Sequence, residues 1–530
     1  MSERWLTFLF VVAVVYLVLF YKLGNLAFVG ADEPRYARIA EEMNDRRDYV
    51  TPTLQGRPWL EKPPLLFWIE SASFKFLGVS EWSARLPLAF CALIAGLATA
   101  LMAGAVSGPR PGWHAFLILM TSPLFFVYGR AASTDMPLLA ALTVAIVAAH
   151  EASRGLSFEL ALGAGAALGL AVLAKGPVAL IIFGGIFVIY GFLTQAYPWT
   201  WKQTLVGLLA FLAIAVPWYG LVWLRNGPDF VATFWLNHNL ARFLTSIHHH
   251  VQPFWYFVPV LLIGFFPWVF FLFSSAARMI RNRASALRLQ REEVFLWVWF
   301  VVPFFFFSGS SSKLAGYILP VLPPLAVLVA MEWERLLVDD VTARRWLRRE
   351  LVALSAVGLL VCVALVLGFH RVYDSGWLGG LLAAPLLLGL VGGLYYYWSR
   401  RLHAVFMAML AALTLFAAFA YWLAAPVVDD YHSARDLSRV ARSSVSPEWP
   451  LILYRYFHHT ALYYTNYSAT PEALLDRQTL RSYFASHPQD RYLILTQESG
   501  WQDLQDGFRA RLIRHQGNLY LVEVTGQANE

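Results

Sequence analysis

The sequence predicts an all-α polytopic membrane bundle of about thirteen transmembrane helices, followed by a small C-terminal α/β domain. Three observations predict it. Of 530 residues, 58% are hydrophobic and only 14% charged, where a soluble chain carries about a quarter charged. Apolar runs long enough to cross a bilayer, about 20 residues each, recur up to residue 425. After Pro426 the composition turns polar and the runs stop.

The runs fall at 5–22, 84–106, 112–128, 135–150, 158–174, 176–194, 204–224, 255–276, 293–308, 314–331, 350–368, 377–397 and 403–425. Arg4 ahead of Trp5 to Phe20 resembles a secretion signal, but no small-residue cleavage site follows, so this run is expected to remain as a first helix. Segment 65–78 is too short to span and carries Glu70 and Lys75, which suits an interfacial or re-entrant helix. Residues 1–429 thus form a transmembrane domain with outer loops 23–83 and 225–254, and residues 430–530 a separate α/β domain. In that domain helices are expected near 433–443 and 472–485, and strands at 450–456, 491–496 and 518–524. Cys91 and Cys362 lie far apart in apolar runs and make neither a disulfide framework nor a metal cluster.

A formal charge of +7 would suggest nucleic acid in a soluble protein. Here the basic residues gather in alternate loops, from Arg110 and Arg154 through Arg278 and Arg291 to Arg335, Arg345, Arg400 and Arg401. The positive-inside rule then puts the N-terminus inside and the C-terminal domain outside, and no nucleic-acid partner is implied. With this topology the unusual polar residues converge on the outer side: Asp32, Glu33, Arg35, Glu61, Lys62, Arg130, Asp135, Lys175, Asn237, His238, Arg242, Lys313 and Tyr317, with the histidine run 248–250. Charges beside a bilayer are costly unless they act on something there.

Each has a structural alternative. Asp32 and Asp135 could cap the helices that follow them. Glu61 and Lys62 could be a solvated pair, although Pro63-Pro64 fixes their direction. Lys175 could snorkel to the surface, and the three histidines could be an exposed tract. The sequence has no Walker loop and no Gly-rich dinucleotide turn. Carboxylates that orient or deprotonate an acceptor, beside cations that neutralise a departing phosphate, suit group transfer from a phosphate leaving group. Outside the cytoplasm such a donor must be carried by a lipid.

The series Asp32-Glu33-x-Arg35-Tyr36, Glu61-Lys62-Pro63-Pro64-Leu65, Ser122-Pro123-Leu124, Asp135-Met136-Pro137, Lys175-Gly176-Pro177 and Pro217-Trp218-Tyr219 continues with Asn237-His238-Asn239-Leu240-x-Arg242-Phe243, Gln252-Pro253-Phe254-Trp255-Tyr256 and Ser311-Ser312-Lys313-x3-Tyr317-Ile318-Leu319-Pro320. Together these motifs resemble the lipid A 4-amino-4-deoxy-L-arabinose transferase family. It is a branch of the GT-C integral-membrane glycosyltransferases related to the protein O-mannosyltransferases. The resemblance covers residues 25–330 well and the remainder in layout.

The resemblance implies an inverting enzyme of the bacterial inner membrane, N-terminus cytoplasmic and C-terminal domain periplasmic. It would move a sugar from undecaprenyl phosphate to a lipid A phosphate, with 4-amino-4-deoxy-L-arabinose as the expected sugar. Asp32, Glu61 and Asp135 would be the catalytic residues. Arg35, Lys62, Lys175, Arg242, Lys313 and Tyr317 would bind the donor phosphate. Some members hold zinc at this place, so Glu61 and His238 are the expected ligands of a zinc or magnesium ion, although no pattern in the sequence itself demands one. The alternatives are another sugar, or a protein acceptor as in the O-mannosyltransferases. A transporter is disfavoured, because the charges lie at one surface and no inverted repeat is evident.

Overall fold

A computed structural model describes residues 3–195, 199–241, 252–281, 291–337, 341–446 and 448–527. Among them nine helices are long and apolar enough to cross a bilayer. Four further apolar passages stand where the sequence places them: residues 3–20, 109–128, 178–194 and a bent pair over 254–278. The chain is a multi-pass membrane protein.

Two of the expected spans are not single rods. The run 112–128 divides into helices Pro109–Met120 and Pro123–Tyr128, because Pro123 has no N–H with which to continue the first helix. The run 255–276 is a pair, Phe254–Gly264 and Trp268–Arg278, bent by 106°. The passage Ala315–Leu336 is the centre of the bundle, with 89% of its span window buried, against 22% for Trp201–Trp235 and Ala343–Tyr373 at the lipid-facing edge. Small residues set the tightest crossing. Gly165 on Phe158–Lys175 lies so close to Gly207 on Trp201–Phe230 that a Cβ would collide with the Gly207 carbonyl oxygen.

One end of the bundle carries a cap of short elements. Helix Asp32–Arg46 is followed by a hairpin, β1 (Thr53–Leu54) against β2 (Arg57–Pro58), and by helix Leu65–Leu77. Glu42 ties the hairpin down, accepting from the Thr53 hydroxyl at 2.8 Å and from the N–H groups of Gln55 and Gly56 at 2.7 and 3.1 Å. Ser80 then starts the long span Glu81–Ser107 with a capping box. At the opposite end Arg278 and Arg335 share the carboxylates of Glu293 and Glu332.

The C-terminal region is a four-stranded sheet in the order β3-β4-β6-β5: Ile452–Leu453, Tyr492–Gln497, Leu519–Gln527 and Phe508–Gln516. β3 and β4 pair in parallel, and the other pairs are antiparallel. Helices Arg435–Arg442 and Arg477–Ser486 and strands β3, β4 and β6 correspond to the expected elements. β5 and the helices His459–Tyr464 and Glu498–Gly507 were not expected. The region is fastened to the membrane part. Arg435 pairs with Asp429 at 2.5 Å, the Ala27 N–H donates to Asp429 at 3.3 Å, and the Tyr464 hydroxyl accepts from the Phe28 N–H at 3.1 Å.

Candidate active site

Helix Asp32–Arg46 positions the site, and Glu33 positions the helix. The Glu33 carboxylate is buried and takes a two-point grip from Arg85, Nε to Oε1 at 3.0 Å and Nη2 to Oε2 at 2.6 Å. It also accepts from the N–H groups of Ala132 at 2.7 Å and Val29 at 2.6 Å. Arg85 spends its remaining donors on the carbonyls of Leu23, Leu26 and Ala27. One ion pair thus joins the end of the first helix, the 129–134 turn, the Glu81–Ser107 span and the Asp32–Arg46 helix. Both charges are fully hydrogen-bonded, the condition under which a buried pair is tolerated. Arg130 is likewise structural: it donates to the carbonyls of Val18 and Tyr21, lies 3.5 Å from the Tyr421 ring centroid, and burial pulls its pKa down to about 10.

Asp32 sits one residue before Glu33, 100° around the helix, and its side chain is half exposed at 48%. It pairs with Arg35 at 2.5 Å, while Arg35 Nε donates to the Ala31 carbonyl at 2.9 Å. Burial works against the Arg35 charge, and Asp32, Tyr36 and Glu61 more than offset it, so its pKa stands above the ordinary value. The Tyr36 phenol is buried and is within electrostatic reach of Asp32, Asp135 and Glu61. Burial first and Asp32 second push its pKa well above the usual range. Three carboxylates far apart in sequence therefore face one buried phenol. Tyr36 stands on an aromatic base formed with Trp59 and Phe67, ring centroids 5.7–5.9 Å apart. Trp59 and Phe67 flank the Glu61-Lys62-Pro63-Pro64 strap in the chain.

The membrane side of the site is made by two helix ends, with Tyr317 and His238 beside them. Asp135 opens helix Asp135–Gly155 and Lys175 closes helix Phe158–Lys175, and the two form a close ion pair. Lys175 can end its helix there because Gly176 takes a φ of +85°. The Lys175 ammonium lies 4.2 Å from the Tyr317 ring centroid, a cation–π contact. His238, on the turn Val231–Ala241, brings Nδ1 to 3.7 Å from Glu61 Oε2.

Of the expected site residues, Asp32, Arg35, Glu61, Asp135, Lys175, Tyr317 and His238 are thus brought together, and Lys62 follows Glu61 on the strap. Lys313 is committed elsewhere: its ammonium donates to the carbonyls of Ser310 at 2.5 Å and Gln252 at 3.0 Å, fixing the approach to Tyr317. Arg242 and residues 248–250 lie outside the described residues. Among the described residues no three His, Cys, Asp or Glu side chains converge as a metal set. Glu61 and His238 supply two donors, short of the four of a structural zinc site. The residues that sequence reasoning passed over are Arg85, which hides at the start of an apolar run, and His459, which belongs to the C-terminal region.

Residues 61–223 match the family described as dolichyl-phosphate-mannose-protein mannosyltransferase. An undecaprenyl phosphate-alpha-4-amino-4-deoxy-L-arabinose arabinosyl transferase of Edwardsiella ictaluri is 29% identical over 391 residues, 70% of this chain and 68% of that one. The protein of the same description from Photorhabdus laumondii is 29% identical over 418 residues, covering 72% and 71%. That from Serratia proteamaculans is 31% identical, covering 67% and 63%. The crystal structure of ArnT from Cupriavidus metallidurans bound to undecaprenyl phosphate superposes with a TM-score of 0.79, 22% identity and 98% of each chain covered. The archaeal oligosaccharyltransferase AglB from Archaeoglobus fulgidus reaches a TM-score of 0.51 at 13% identity, over 93% of this chain and 69% of that one. The chain shares its fold with the Cupriavidus metallidurans protein over 98% of its length, while the sequence likeness to the named relatives covers about 70%.

Proposed function

We infer that this chain is a lipid-phosphate-dependent glycosyltransferase of the undecaprenyl phosphate aminoarabinose transferase type, moving a sugar from undecaprenyl phosphate to a lipid A phosphate. The observation that carries the reading is that Asp32, Glu61 and Asp135 all act electrostatically on the buried Tyr36 phenol, with Arg35 paired to Asp32 and Lys175 to Asp135. The relatives named above and the match to a structure holding undecaprenyl phosphate support it. The arginines of the alternate loops favour a cytoplasmic N-terminus, hence an inner membrane with the cap and C-terminal region on the periplasmic face.

An oxygen of the acceptor phosphate attacks the anomeric carbon opposite the donor phosphate. The bond from that carbon to the phosphate oxygen breaks, its electron pair stays on undecaprenyl phosphate, and the configuration inverts. The acceptor oxygen is already anionic, so Asp32 and Asp135 orient substrate hydroxyl or amino groups rather than strip a proton from the nucleophile. Arg35, Lys62 and Lys175 neutralise the negative charge that collects on the leaving phosphate. Tyr317 braces Lys175 from behind. A zinc or magnesium ion, if bound, would be held by Glu61 and His238. It would add charge neutralisation at the phosphate.

Mass spectrometry of lipid A tests the reading, in a host that makes undecaprenyl-phosphate aminoarabinose, with and without this chain. The expected result is one aminoarabinose added per modified phosphate, lost in Asp32→Ala. Unmodified lipid A from correctly inserted protein would refute the acceptor or the sugar. The match of residues 61–223 to the protein mannosyltransferases then makes a protein hydroxyl the next acceptor to assay.

A further inference from the structure

The C-terminal region does more than sit beside the site. Its segment 458–467 lies along the outer face of helix Asp32–Arg46. The Tyr463 hydroxyl donates to the Glu41 carboxylate, Tyr464 donates to Glu81 at 2.8 Å, and the Arg38 guanidinium lies 5.4 Å from the Tyr467 ring centroid. Arg38 is itself held by Glu41 and Glu42 at 3.2 and 3.0 Å. These contacts fix helix His459–Tyr464, and with it the position of its first residue.

The two histidines at that point differ in what they do. His458 works locally, its ring Nδ1 accepting from the Thr460 N–H at 3.3 Å as the helix cap. The His459 ring makes no hydrogen bond to any described residue. It lies half-buried, edge-on to Phe457 at 5.0 Å, and Arg35 and Asp32 are near enough to act on it electrostatically. Burial first, then Arg35 and His458, push its pKa down to about 4, so the imidazole is neutral at physiological pH and keeps one N–H to donate. The charged groups around it are Arg35 and Asp32 on the facing helix. A neutral, fixed, unused donor at the outer edge of an Arg–Asp pair is placed to meet a ligand that reaches that pair from outside the membrane.

We propose that His459 is an acceptor-binding residue supplied by the C-terminal region, its imidazole N–H donating to the acceptor's phosphate as that phosphate passes the Asp32–Arg35 pair on its way to the donor. The proposal rests on the glycosyltransferase reading above and adds the acceptor's side of entry to it. The donor, carried in the bilayer, meets the Asp135–Lys175 end of the site. The acceptor phosphate passes under the C-terminal region and meets His459 first.

The test is steady-state transfer by the full-length protein in detergent, from polyprenyl-phosphate aminoarabinose to a phosphorylated disaccharide lipid. His459→Ala should raise the acceptor KM about tenfold, the size of one charge-assisted hydrogen bond, with the donor KM within about twofold. His459→Gln, whose amide can donate, should recover most of the loss. His459→Leu keeps the bulk without the donor and should repeat the alanine result, which separates lost bonding from lost packing. Equal shifts in both KM values, an unchanged acceptor KM, or a glutamine variant no better than leucine would overturn the proposal. Absence of transfer by the wild-type protein would instead overturn the underlying reading of the reaction, an outcome distinguishable from the others.

Discussion

Asp32 and Glu33 are adjacent carboxylates with opposite duties, and substituting each in turn separates them. Glu33→Ala removes four hydrogen bonds at 2.6–3.0 Å and leaves the Arg85 guanidinium charged and buried. Breaking one partner of such a pair costs about 3–5 kcal/mol, and the amides of Val29 and Ala132 lose their acceptor as well. Asp32→Ala removes a single ion pair whose carboxylate is half exposed, worth about 0.2–1 kcal/mol. Thermal unfolding in detergent, followed by tryptophan fluorescence at one scan rate, should show a large fall in midpoint for Glu33→Ala and almost none for Asp32→Ala. Sugar transfer should behave in the reverse sense: Asp32→Ala stays folded and loses about a hundredfold or more of its rate, the scale of a positioned acid–base or orienting group. The reasoning is refuted if Glu33→Ala melts with the wild type, or if Asp32→Ala melts as low as Glu33→Ala.

Three further expectations follow from the geometry. Glu70 is buried with neither carboxylate oxygen hydrogen-bonded among the described residues, and burial, then Glu33 and Glu41, push its pKa well above the usual range. Stability linked to its proton is full below the unfolded pKa of about 4.3 and is lost as pH rises toward the folded value. Glu70→Gln should therefore gain on the wild type in melting midpoint between pH 5 and pH 8, and a constant gap across that window would show that Glu70 is ionised. Lys175→Ala and Asp135→Ala should each destabilise more than half as much as the double variant, with a coupling energy of about 1 kcal/mol or more in a double-mutant cycle by chemical or thermal unfolding. Gly165→Ala should sharply reduce monodisperse protein on fluorescence-detected size exclusion, whereas Gly163→Ala, with open space around its Cβ position, should not.

The membrane spans are legible because the bilayer imposes their length and composition, residue by residue, with no need of a partner. Their interruptions are not. Hydropathy averages across Ser122-Pro123 and across 265–267, where the backbone turns while the side chains remain apolar. The site was legible where charge is conspicuous: Asp32, Arg35, Glu61, Asp135 and Lys175 stand out against their surroundings. What the chain order conceals is pairing. Nothing in Asp32-Glu33 says which carboxylate is buried, because that depends on Arg85, 52 residues away and embedded in a span. His459 is hidden for the same reason, since its neighbours at 32 and 35 come from the far end of the chain. β5 escaped notice for a different one. Phe508–Gln516 is an edge strand that alternates only over Phe508–Leu512 and is exposed along most of its length, and its four basic side chains make it read as a charged loop.

The ion pairs Asp32–Arg35 and Asp135–Lys175 have a kinetic consequence. Arg35 and Lys175 each already have a tethered rival, and an arriving phosphate must displace it. Binding is thereby weaker than bare cations would give, for substrate and spent carrier alike. An enzyme that must release a charged lipid after every turnover gains from that arrangement. In the proposed reaction, departure of the spent lipid phosphate lets the carboxylates close back on Arg35 and Lys175, which frees the site for the next donor.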